Sequence, residues 1–216
     1  MPARIRRLCA LALLPGLGAG IRQPVDVTHA PWSSLVRVQV AGSARCTGVV
    51  IAPRQILTAA HCVYITRAGH FAPPAAIHVL AGYDAGDFRF HATSVALRTL
   101  PGWTAKHPDF TADAALITLA ENIPAPPLAF AEPRPGPAML GGYNQDRAQV
   151  LLADTDCRIL ATGRMIRHSC AATRGTSGAP LLVPTPSGWA IGGLQVGAES
   201  GQGGIAVPVA TLQGLL

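Results

Sequence analysis

Three short segments carry residue types that together could transfer an acyl group. The first runs from Cys46 to Cys62 and ends in Thr58-Ala59-Ala60-His61-Cys62. The second is Asp113, set immediately before the apolar run Ala114-Ala115-Leu116-Ile117-Thr118-Leu119. The third is Arg174-Gly175-Thr176-Ser177-Gly178-Ala179-Pro180-Leu181, a serine on a glycine-flanked turn ahead of a strand. A serine hydroxyl is a poor nucleophile until a neighbouring base takes its proton. A neutral imidazole can do so, and a buried carboxylate on its other ring nitrogen fixes the tautomer. Glycines beside the serine let two backbone N–H groups converge on one point and hold a developing oxyanion. Taken singly, each segment has a bland reading: a turn for Gly-x-Ser, a structural role for a histidine beside a cysteine. Taken together, in the order His61, Asp113, Ser177, they read as base, orienting acid and nucleophile.

Other candidates compete less well. Asp109 could replace Asp113, but Pro108-Asp109-Phe110 reads as an exposed turn, whereas Asp113 should be half-buried at the mouth of a strand. His168 could touch the site, yet a strand histidine satisfied by backbone is the commoner case. His29, His70, His78, His91 and His107 lack motif context and read as surface residues. Trp32, Trp103 and Trp189 read as packing. Gly141-Gly142 has no phosphate-loop pattern around it and reads as a strand or turn feature.

The elements that must position these residues are short. Alternating or apolar runs occur at 35–40, 46–52, 56–58, 77–81, 88–97, 114–119, 138–143, 148–153, 157–162, 165–170, 180–183, 189–196 and 204–209, with turn residues between them. With 23 Gly and 19 Pro in 216 residues, helical bundles are disfavoured. About a dozen short strands predict an all-β sandwich or barrels. Six prolines between Pro124 and Pro137 suggest an extended connector between two β lobes. No internal repeat is evident.

Composition excludes several classes. An apolar fraction of 49% against 13% charged residues is the reverse of a disordered chain. The formal charge of +6 leans on Arg4, Arg6 and Arg7; without them, fourteen basic residues face eleven acidic ones, which weakens a nucleic-acid reading. Those arginines precede the apolar run Leu8–Leu14 and the small residues Gly16, Gly18, Ala19 and Gly20, the pattern of a secretory signal over about 1–20. No later run is long enough to span a bilayer. Cys9 falls within the signal, leaving Cys46, Cys62, Cys157 and Cys170, an even number that suits an oxidising compartment. Three pairings are possible, and sequence neighbours, Cys46–Cys62 and Cys157–Cys170, are the simplest. The former would fix the His61 loop against the preceding hairpin. Adjacent His-Cys is poor chelate spacing, so no metal is expected.

The chain resembles the trypsin/chymotrypsin-like serine peptidases over roughly Val25 to Val209. Thr58-Ala59-Ala60-His61-Cys62 matches the family's histidine motif, Asp113-Ala114-Ala115-Leu116-Ile117 its aspartate strand, and Gly175-Thr176-Ser177-Gly178-Ala179-Pro180 its serine motif. His168-Ser169-Cys170 and the secretory N-terminus look more like the small bacterial, glutamyl-endopeptidase-like branch. The resemblance implies two antiparallel six-stranded β-barrels with the site in the cleft between them. It carries His61, Asp113 and Ser177 over as the triad, and the amides of Gly175 and Ser177 as the oxyanion hole. A peptidase domain over 21–216 would hold an N-terminal barrel at about 25–123, a connector at about 124–137 and a C-terminal barrel at about 138–209. Two features depart from the family. Its Ile-Val-Gly-Gly start is absent, and Thr176 stands where an aspartate pairs with the freed N-terminus.

The resemblance also nominates a specificity pocket. Ala171, six before the serine, would lie at its base with Ala172 beside it, and Gln195 would stand where glutamyl-specific relatives place a histidine. Gly197 and Gly204 would leave its entrance open. A neutral pocket favours neutral, apolar or small P1 side chains, because a charged one would lose its hydration there. His168 or Glu199 reaching the pocket would shift this toward acidic or basic P1. The expected protein is a secreted or periplasmic, monomeric endopeptidase acting on peptides or proteins, with no cofactor, no nucleic-acid partner and no membrane insertion. Its rivals are a non-catalytic homologue that binds a partner through the cleft, and an esterase on the same scaffold.

Overall fold

The computed structural model describes residues 21–199 and 203–216; the expected leader over 1–20 lies outside the described residues. Six strands form a first ring: β1 (Leu35–Val40), β2 (Arg45–Ala52), β3 (Gln55–Thr58), β4 (Ile77–Ala81), β5 (Phe90–Thr99) and β6 (Ala115–Leu119). Six more form a second: β7 (Gly136–Gly142), β8 (Leu152–Ala161), β9 (Ile166–His168), β10 (Pro180–Thr185), β11 (Gly188–Glu199) and β12 (Gly203–Pro208). The first closes in the order β1-β2-β3-β6-β5-β4. The second closes as β7-β8-β9-β12-β11-β10, the same path through its own six strands. All pairings are antiparallel, and closure leaves neither sheet an unpaired edge. The strands of both barrels follow from the sequence pattern: β-branched and apolar residues in runs too short for helices, cut by Gly and Pro.

Val36, Val38, Val49, Ile56, Leu57, Val79, Leu116 and Ile117 are buried in the first barrel. Each such side chain contributes about 1.5–3 kcal/mol by leaving water. Ile191, Leu194 and Val207 of the second barrel, with Leu212 and Leu215 of the C-terminal helical turns, join the same cluster. The barrels are therefore in direct apolar contact. Arg37 lies across this junction. Its guanidinium sits 4.2 Å over the Tyr83 ring and donates to Ala148 O at 3.2 Å.

The proline-rich segment runs between the barrels and is bonded to both. Pro has no N–H, so the donors are its other residues: Leu128 N–H to Val50 O (3.0 Å) and Ala131 N–H to Ile191 O (3.0 Å).

One expectation fails here. The runs at 148–153 and 157–162 are not two strands: 148–151 lies outside any strand, and 152–161 is one strand, β8. The polar stretch Asp154-Thr155-Asp156 reads as a break, but Asp154 is buried and its carboxylate accepts the N–H groups of Asp156 (3.2 Å) and Ala171 (2.8 Å). A register shift between Ala138 and Leu140 of β7 absorbs the irregularity. Among the described residues no helix is long and apolar enough to cross a membrane.

Candidate active site

His61 stands in a single 3-10 turn, Ala60–Val63, that follows β3 at the end of the first barrel. The Cys46–Cys62 disulfide ties this turn back to β2. Asp113 ends another 3-10 turn, Phe110–Ala112, just before β6. Because β3 pairs with β6, with Thr58 opposite Ala115, the two turns emerge side by side. Both oxygens of the Asp113 carboxylate then meet His61. Oδ1 accepts the His61 backbone N–H at 2.9 Å, and Oδ2 lies 2.6 Å from Nδ1. The ring proton is held on Nδ1 by this contact, which leaves Nε2 free to accept a proton. Asp113 is 1% exposed rather than half-buried, while a third of the His61 side chain faces solvent. Asp109 caps the start of this same Phe110–Ala112 turn by accepting Thr111 N–H at 2.9 Å, and it is exposed.

Ser177 lies on the turn between Thr176 and β10, in the second barrel. Its backbone is gripped from both sides. Thr47 N–H of β2 donates to Ser177 O at 3.0 Å, and the next amide, Gly178 N–H, donates to Gln195 O of β11 at 2.7 Å. Gly178 is required here: its φ is +80°, and a Cβ would collide with Thr47 O and Thr58 Oγ1. Gly175 has φ +93° and presses against Tyr143 O in the same way. The amides of Thr173, Thr176, Gly178 and Ala179 are all hydrogen-bonded. Among the described residues, those of Gly175 and Ser177 have no such partner and remain available to a ligand oxygen.

His61, Gly175 and Ser177 line one cleft of about 490 Å³ with Cys46, Tyr64, Arg45 and Arg174. No hydrogen bond joins the Ser177 hydroxyl to the His61 ring among the described residues, a looseness common before substrate arrives. The sulfurs of Cys46 and Cys62 lie beside His61 but are bonded to each other, so neither offers a thiolate to a metal. Cys157 pairs with Cys170, tying β8 to the segment that leads to Ala171.

Of the residues nominated for specificity, Gln195, Gly197 and Glu199 lie on β11, Gly204 on β12 and His168 on β9, whereas Ala171 and Ala172 lie in the loop between β9 and β10. His168 is not satisfied by backbone. It is 1% exposed, its Nε2 lies 2.6 Å from Gln195 Oε1, and its Nδ1 has no partner. Burial holds its pKa below the usual histidine range, with the Gln195 bond opposing. Gln195 Nε2 donates to Gly197 O at 2.8 Å. A Cβ on Gly204 would lie 2.7 Å from Gln195 Nε2 and 3.0 Å from His168 Cε1, so this glycine makes room for the pair. Glu199 turns outward to Arg167, at 3.0 Å.

Sequence reasoning missed several positioning residues. Thr47 donates its hydroxyl to Gly175 O (2.9 Å) and accepts Tyr143 N–H (2.9 Å), besides holding Ser177. Asn144 accepts the Thr176 hydroxyl at 2.6 Å. Asp154 holds Ala171, and Arg22 reaches Thr173. Thr47 adjoins a motif cysteine, the one local signal; the others pair across more than 15 residues with no pattern to mark them.

The pattern that defines the trypsin-like peptidase domain matches residues 46–191. A solved Glu endopeptidase in complex with MPD superposes with a TM-score of 0.75 at 21% identity, covering 91% of this chain and 94% of that one. The Vibrio cholerae VesB protease superposes with a TM-score of 0.73 at 18% identity, covering 92% and 66%. At these identities the likeness speaks for the fold. No curated protein matches the chain significantly by sequence.

Proposed function

Since the chain belongs to the trypsin-like peptidase family, we propose that it is a secreted or periplasmic serine endopeptidase that cleaves peptide bonds through an acyl-enzyme. The observation that carries this reading is the double contact of Asp113 with His61, in a cleft that His61 shares with Ser177 and Gly175. In the proposed cycle His61 Nε2 takes the Ser177 hydroxyl proton as Oγ attacks the scissile carbonyl. The carbonyl oxygen, now anionic, is received by the Gly175 and Ser177 amides. Asp113 stabilises the imidazolium and keeps its orientation. His61 then protonates the departing amine, and water, activated the same way, releases the acyl group from Ser177. No step calls for a cofactor.

The two disulfides support an oxidising compartment. We assign the peptidase domain to 21–216, with barrels at about 25–123 and 138–209 and a connector at about 124–137. The P1 pocket is assigned to Ala171, Ala172, Gln195, Gly197 and Gly204. A fluorophosphonate probe tests the reading. Purified protein should be labelled at Ser177, and Ser177→Ala should not. Absence of label on folded wild-type protein would favour the binding homologue instead.

A further inference from the structure

A pair of oxyanion-binding amides is useful when it is held in place before the charge develops. Here the loop from Thr173 to Ser177 must be held without a carboxylate at 176. Its inner clamp is neutral. Thr176 Oγ1 donates to Asn144 Oδ1 at 2.6 Å and accepts Thr173 N–H at 3.2 Å; Asn144 Nδ2 donates to Gly142 O at 2.8 Å. Asn144 and Thr176 are both buried. Gln145 N–H closes on Arg174 O at 2.8 Å. Among the described residues, the hydrogen bonds inside this clamp involve no charged group.

The charge pair lies one shell out and comes from the N-terminal segment. Arg22 precedes the two-residue strand Gln23–Pro24, which pairs with Ala153 and Leu152 of β8. Its guanidinium meets Asp146 with two bonds, at 3.1 and 2.7 Å, and also donates to Thr173 Oγ1 at 3.0 Å. The Arg22 side chain is 19% exposed, so the pair is partly shielded. Guanidinium only donates, so the Thr173 hydroxyl accepts from Arg22 and its single proton is available to Asn144 Oδ1, 3.1 Å away. Without Arg22 that hydroxyl could turn to Asp146 (3.4 Å) or Arg174 O (3.4 Å) instead.

We propose that Arg22 is a positioning residue that latches the oxyanion loop through Asp146 and Thr173, replacing a freed α-amino group with a side chain. The latch's effect on turnover rests on the peptidase reading; its effect on the loop does not. It makes the loop's order independent of the chemical state of the N-terminus.

The test is amide hydrogen exchange over residues 171–179, with kcat and KM on a peptide substrate, for wild type, Arg22→Ala, Arg22→Lys and Asp146→Asn. Arg22→Ala should speed exchange at Thr173 and Thr176 and lower kcat about tenfold, the scale of one charge-assisted hydrogen bond, with KM nearly unchanged. Arg22→Lys, which keeps the charge but not the fork, should fall between. Wild-type protein acetylated or extended at its N-terminus should match the unblocked form. Wild-type exchange and kcat in both Arg22→Ala and Asp146→Asn would overturn the latch, as would loss of protection on N-terminal blocking. If Arg22→Ala does not fold, Asp146→Asn decides. Wild-type protein that takes no fluorophosphonate label would sink the peptidase reading, and the exchange data would still judge the latch.

Discussion

The backbone amide of Thr47, in the first barrel, donates to the carbonyl of Ser177, in the second, at 3.0 Å. The same residue's hydroxyl bonds Gly175 O and Tyr143 N–H. His61 and Asp113 belong to the first barrel and Ser177 to the second, so this threonine bonds the two halves of the site to each other. Thr47→Val keeps the shape but leaves a buried carbonyl and a buried amide unpaired. Each such group costs about 1–3 kcal/mol. The variant should melt several degrees lower and turn over more slowly, which calorimetry and steady-state kinetics would read. Unchanged kcat would remove Thr47 from the positioning network.

Asp113→Asn should lower kcat about 10⁴-fold with little change in fold. An asparagine can still accept the His61 N–H through its oxygen, but its NH₂ would then face Nδ1 and force the ring proton onto Nε2. Circular dichroism should match wild type. Activity within tenfold of wild type would transfer the orienting role elsewhere.

Reduction should lower stability and activity together. Cys46–Cys62 closes a loop of sequence separation 16 directly under His61, worth about 3 kcal/mol by chain entropy. Melting with and without reductant reads the effect. Four reactive thiols in native, unreduced protein would contradict both pairings.

His168 should make the protein acid-sensitive. Its folded pKa is depressed by burial, so on acidification the unfolded chain takes up this proton before the native one does. Stability therefore falls as pH drops from about 6.5, the unfolded value, toward the lower folded value. His168→Gln should flatten that part of the melting-temperature profile between pH 4 and 7. Asp146 acts at lower pH. Its carboxyl is held down chiefly by the Arg22 hydrogen bond, so its contribution persists above the unfolded carboxylate pKa and is lost as pH falls through the folded one. An unchanged slope in His168→Gln would show that other groups set the acid limb.

Substrate preference should have two parts. Ala171 and Ala172 carry no charge, both ends of the Gln195 amide are already bonded, and Glu199 is paired with Arg167. A neutral P1 side chain should thus be preferred, since a charged one loses hydration without a partner. Arg45 and Arg174 line the cleft that holds His61 and Ser177, and among its described lining residues there is no acid. Acidic residues flanking P1 should be favoured there, more so at low salt. A fluorogenic series varied at P1 and at the flanking positions measures both; kcat/KM highest for Arg, Lys or Glu at P1 would show the first part wrong.

Local pattern was enough to read the β class and the short strands, and to nominate His61, Asp113 and Ser177. Strand alternation and glycine-flanked turns depend on neighbours a few residues away, and so they leave a mark in the chain. The shared ring order of the two barrels left none, because topology can recur without any recurrence of residues. The fate of polar residues was equally hidden. Asp154 looked like a break in a strand and is instead a buried acceptor for Ala171, 17 residues on. His168 looked self-sufficient and is held by Gln195, 27 residues on. Arg22 meets Asp146 across 124 residues. A buried polar group must find a partner wherever the fold brings one, and that partner's position is set by barrel closure, which only the tertiary structure supplies.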